Sequence, residues 1–171
     1  MLINDLLIIK NRLSALLNMP LNYIMRCGGM GDFGFGEDVL FTNFRGETRL
    51  VSKYGLHLQC AFRLVDSKNI LLANLDMYTN NSKTEWTEDF AWDICGANYY
   101  DEQTEKLMIE VSKKNIIVTK IEANLYGDLK IEFSNGWILD VFVNESSDEE
   151  CWRFLKMDND SPHLVITGKG I

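Results

Sequence analysis

Apolar positions follow a helical period at the start of the chain and predominantly a period of two after it. Leu2, Leu6, Leu7, Ile9, Leu13, Leu16 and Leu17 mostly fall three or four residues apart, with Asn4, Asp5, Lys10, Asn11 and Arg12 among them. This spacing predicts an amphipathic helix, which Pro20 stops because proline has no amide to donate. Beyond Pro20 the period becomes two. In GLHLQCAFRLV, residues 55–65, one strand is expected, with Leu56, Leu58, Cys60, Phe62 and Leu64 on one face and His57, Gln59, Ala61, Arg63 and Val65 on the other. DSKN reads as a turn. ILLANLDMY, residues 70–78, reads as the returning strand of a hairpin, with Leu71, Ala73, Leu75 and Met77 on one side.

Residues 79–100 have no sustained period and are expected to form a long loop. DEQTEKLMIEVSKKN, residues 101–115, predicts a short helix with Asp101 near its start. In GDLKIEFSNGWILDVFVN two registers compete. A two-residue Asn135-Gly136 turn would place Asp140 on the face of Leu129, Ile131 and Phe133. A three-residue loop with Gly136 in the left-handed region pairs Phe133 with Trp137 instead, gathering Leu129, Ile131, Phe133, Trp137, Leu139 and Val141 on one face. The cost of burying a carboxylate favours the second register. ESSDEE is an acidic turn, and CWRFLKM and HLVITGKG are two strands around a DNDSP turn.

The pattern predicts an α+β fold: one N-terminal helix packed against a mostly antiparallel β-sheet, or sheets, built from hairpins. YGLHLQCAF and YGDLKIEF each place Tyr-Gly ahead of an alternating strand, which suggests two similar hairpin layers. With 171 residues, 46% of them apolar, a single domain spanning residues 1–171 is expected.

Charge narrows the partners. A net charge of −8 with a pI near 4.8 disfavours nucleic acid, which is held by Lys and Arg neutralising phosphates. The opening stretch has no basic n-region and carries charges within its apolar pattern, so neither a signal peptide nor a membrane span is expected. Cys27, Cys60, Cys95 and Cys151 form no C-x-x-C pair, giving no zinc or dithiol signature and the expectation of reduced cysteines in a cytoplasmic protein without a cofactor.

Gly29-Met30-Gly31-Asp32-Phe33-Gly34 matches the G-x-G-x-x-G fingerprint of dinucleotide sites. That fingerprint works only where the glycine turn opens a helix whose free amides hold the pyrophosphate. EDVLFTNFRGETRLV follows here with no helical period, so the glycines predict a bent strand with Phe33 and Phe35 packed nearby. His57 shares its strand face with Gln59 and Arg63, and these with Asp76 form a candidate polar site. Cys60 points the other way, which disfavours a Cys–His nucleophile pair. Asp148, Glu149, Glu150, Trp152 and Arg153 form a candidate partner-binding cluster, since Trp and Arg are common binding anchors.

MGDFGFG, YGLHLQCAFRL, LDMY, YGDLKIEFSNGWILDVF and DEECWRFL together resemble a family of small bacterial cytoplasmic proteins with no assigned reaction, sharing LHxQCxxRL and GDLxIxFxNG…WRF motifs. The resemblance covers most of the chain after the helix and carries over no catalytic residue. The architecture is also similar to immunity proteins, an analogy of fold alone. The function expected is a non-enzymatic protein-binding module, immunity- or antitoxin-like, that neutralises a basic protein toxin, with self-association compatible with it. The alternatives are a small hydrolase using His57 with Asp76 or Asp140, and a small-ligand-binding regulatory domain.

Overall fold

A computed structural model describes residues 3–83, 90–158 and 161–171. Leu2 of the expected helix, residues 84–89 of the expected loop and residues 159–160 of the expected DNDSP turn lie outside them. The chain runs through α1 (Ile3–Leu13), β1 (Leu21–Cys27), β2 (Met30–Thr42), β3 (Thr48–Leu58), β4 (Ala61–Val65), β5 (Ile70–Ala73), α2 (Tyr99–Lys113), β6 (Val118–Ala123), β7 (Leu129–Phe133), β8 (Ile138–Phe142), β9 (Glu150–Lys156) and β10 (Leu164–Thr167). The class is α+β, as the pattern predicts.

The strands form two antiparallel five-stranded sheets, ordered β1-β2-β3-β9-β10 and β5-β4-β8-β7-β6. Their inner faces meet through aromatic rings. Phe33 on β2 packs edge-on to Phe62 on β4 with centroids 5.8 Å apart, and Phe35 stacks on Phe133 of β7 at 6.5 Å. One buried cluster draws on both sheets and both helices, including Ile9 and Leu13 of α1 and Tyr100 and Leu107 of α2.

The expected strand over residues 55–65 is two strands in different sheets. At Gln59 and Cys60 the backbone amides both donate to the Cys151 carbonyl, at 2.8 and 3.0 Å, and the chain turns the corner between layers there. The alternation continues through the corner, so Leu56, Leu58, Cys60, Phe62 and Leu64 all stay buried. The expected return strand over 70–78 also needs correction. It ends at Ala73, and residues Asn74–Tyr78 form a 3-10 turn. Asp76 accepts the Ala73 amide at 2.8 Å and Asn74 accepts the Phe62 amide at 3.3 Å, competing with strand pairing. Leu72 and Met77 are buried while Leu75 faces solvent, so the period-two faces do not persist there.

The three-residue loop after β7 is present: Phe133 donates to the Trp137 carbonyl at 2.9 Å, Gly136 has φ 85°, and Ile131 pairs with Leu139. The Tyr-Gly repeat does not mark equivalent positions, because Tyr54-Gly55 lies inside β3 whereas Tyr126-Gly127 precedes β7. Asn98 caps α2 by accepting the Asp101 amide at 2.9 Å. This helix covers the β1 edge, where the Ile24 amide donates to Met108 Sδ at 3.2 Å.

Candidate functional site

The glycine fingerprint lies in a β-hairpin. Gly28, with φ 59°, sits in the turn between β1 and β2, and Gly31 and Gly34 lie within β2. Alternation sends Phe33 and Phe35 inward and Asp32 and Gly34 outward, on the face of the first sheet that turns away from the other sheet.

Across that face the strand register builds two rows. Asp32 on β2 pairs with His57 on β3, which pairs with Arg153 on β9. One step along, Gly34 pairs with Gly55, and Gly55 with Leu155. The Tyr23 ring lies over Gly34, where an added Cβ would stand 2.0 Å from it. Its hydroxyl donates to Asp32 Oδ1 at 3.2 Å, and His57 Nε2 is 3.5 Å from the same oxygen. These groups line an open groove of about 900 Å³, bordered by β1–β3, β9 and the C-terminal half of α2.

Burial raises the Tyr23 hydroxyl's pKa, and the Asp32 carboxylate raises it further. Burial also raises the Asp32 carboxyl above the ordinary aspartate value, against the pull of His57 and Tyr23. For His57, burial lowers the imidazole's pKa more than Asp32 raises it, and Arg153 lowers it further. The cluster can accept hydrogen bonds, exchange a proton and hold a charge. Beside it, Ser52 Oγ accepts a hydrogen bond from Asn22, Cys27 lines the groove as a free thiol, and burial pushes the inward-facing Cys60 thiol up to about 12. Among the described residues, no group of three or more metal-ligating side chains is found.

One consequence is a pH dependence of stability. In the unfolded chain His57 titrates near its ordinary 6.5, above its folded value, so below that point the unfolded state binds more protons. Acidification through 6.5 is expected to remove stability contributed by His57, against the opposite contribution of the raised Asp32 carboxyl, and His57→Gln to change the slope of that segment. Superimposable melting profiles for the two proteins between about pH 5 and 7.5 would contradict this account.

The structure distributes the sequence candidates among separate places. His57 stays with Asp32, whereas Arg63 pairs with Asp140 at 3.1 Å across β4 and β8 of the other sheet. Asp76 is occupied with the Ala73 amide, and Gln59 is exposed at the corner. His57 is therefore not joined to Asp76 or Asp140, the pairs the hydrolase alternative requires. In the second cluster, Trp152 is fully enclosed and its indole donates to the Gly127 carbonyl at 2.8 Å. It presents no surface to a partner. Arg153 is paired with Glu150, Asp148 with Lys169 at 2.8 Å, and Asp148 and Glu149 are exposed.

Sequence reasoning missed Tyr23 and Asp32. The signal for Asp32 was the same alternation that placed Phe33 and Phe35 inside. Tyr23 had none, because its role depends on the β1–β2 register. Comparison of the chain with family models, curated proteins and solved structures finds no match.

Proposed function

We propose that this chain is a non-enzymatic protein-binding module that engages a basic protein, in the manner of an immunity or antitoxin protein. The observation that carries the reading is the far end of the β2–β3 hairpin. Residues 38–42 pair only with residues 48–52, beyond the reach of β1 and β9, so the two strands form an arm. On this arm Phe44 is 93% exposed, Leu40 74% and Leu50 65%, and Leu40 pairs directly with Leu50. Large apolar side chains gathered on a projecting element mark interaction surfaces more often than solvated ones. The net charge of −8 favours a partner of opposite sign, through faster encounter and rejection of like-charged proteins. The exposed Asp148 and Glu149 add to that field. The resemblance to small bacterial proteins and a cytoplasmic location belong to the same reading.

The test compares the tagged protein with a Leu40→Ser/Phe44→Ser variant, both recovered from the native cell. The intact arm is expected to retain one basic protein in stoichiometric amount. The variant should lose it while keeping its melting temperature, and raised salt should weaken the wild-type complex. Equal retention by both proteins, a lone monomer, or a dimer of this chain that the variant dissociates would each overturn the reading.

A further inference from the structure

The groove on the outer face of the first sheet, which extends onto the arm at Leu50 and Ser52, has the makings of a ligand site. Asp32 Oδ1 accepts the Tyr23 hydroxyl and has His57 Nε2 3.5 Å away, and no described residue donates to Oδ2. No Lys or Arg forms an ion pair with Asp32 among the described residues. Lys114 is paired with Glu110, Arg153, next to His57, is held by Glu150, and Arg49, which lines the groove and acts on Tyr23, forms no ion pair with Asp32. The half-buried carboxylate thus has no Lys or Arg ion-pair partner among the described residues.

Around it the groove is lined by Met25, Met30, Met108 and Met157, four of the seven methionines in the chain. Thioether side chains are apolar, polarisable and able to adapt to an irregular guest. A carboxylate lining a groove with such walls is complementary to a ligand that carries one positive charge on an apolar body. We propose that the groove binds a small organic cation, its ammonium group on Asp32 Oδ2 and its apolar body among Met25, Met108 and Met157. Binding requires no covalent step, and the Tyr23 hydroxyl orients the carboxylate from the opposite side.

The experiment uses the full chain with methyl-labelled methionines and two probes of nearly equal shape, 2-phenylethylammonium and 2-phenylethanol. The cation is expected to shift the methyl signals of Met25, Met30, Met108 and Met157 and to leave Met77, sealed in the core, unmoved. It should also displace the His57 titration to lower pH, since a bound positive charge opposes a second one nearby. The alcohol should do neither. Asp32→Asn should weaken the cation about tenfold or more, the loss expected on removing a charge-assisted hydrogen bond. Equal shifts with both probes, unchanged affinity in Asp32→Asn, or unmoved groove methyls up to about 10 mM cation, where even a weak site would fill, would overturn the proposal. The wild-type probe pair decides the matter by itself if Asp32→Asn does not fold.

Discussion

Trp152→Ala is expected to remove about 3–5 kcal/mol of stability, the range for deleting a fully buried aromatic side chain. Trp152 stands on β9 in the first sheet, is fully enclosed, and donates its indole N–H to the Gly127 carbonyl ahead of β7 in the second. Alanine would leave a cavity and also strip a buried carbonyl of its donor. Trp152→Phe separates these effects, because it restores most of the volume but not the N–H. Its cost should be about 1–3 kcal/mol, the penalty for a buried polar group left unsatisfied. Urea denaturation measures both, with a displaced midpoint and an unchanged slope as the signature of lost stability. A cost below about 1 kcal/mol for the alanine variant would be incompatible with the enclosure described.

The second large effect concerns Arg26. Its guanidinium holds Asp101 through Nε and Nη2 at 2.7 and 2.8 Å, and donates to the carbonyls of Gly28 at 3.2 Å and Ile94 at 3.0 Å. The side chains of the ion pair are only 7% and 14% exposed. Removing one partner of such a pair strands the other's charge, and Arg26→Met should cost about 3 kcal/mol. The Gly96 amide, which also donates to Asp101 at 2.7 Å, and the start of α2 retain part of the carboxylate's stabilisation. The loss should also be local. Arg26 ties the segment before α2 to the β1–β2 turn, so limited proteolysis of Arg26→Met should cut residues 90–98 under conditions where the wild type resists. Coincident global unfolding and cleavage would show that the segment is held by other contacts.

What could be read from the sequence follows from the range of the forces involved. The β7–β8 register was legible because Asp140 on a core face would have been costly, and burial of one carboxylate is a local matter. The Phe33 and Phe35 positions were legible because alternation dismissed the nucleotide motif. The corner at Gln59-Cys60 was not, since it is set by the carbonyl of Cys151, far along the chain, and alternation continues through it unbroken. The end of β5 was hidden for a different reason: Asn74 and Asp76 can satisfy backbone amides in a 3-10 turn as well as stand on a polar strand face. The candidate site was half legible. His57 was singled out, but its partners come from β1 and β2, and only the register of the first sheet reveals that Tyr23 and Asp32 converge on it.

The corner has a kinetic consequence. On its two sides β3 pairs with β9 and β4 with β8, joining positions 94–102 and 73–81 residues apart, so the entropy of closing a long loop must be met before either layer gains its central pairing. Refolding is therefore expected to be slow for a chain of this length, with the β3–β9 pairing closing the longer loop because all five strands of the second sheet lie between β3 and β9 in the chain.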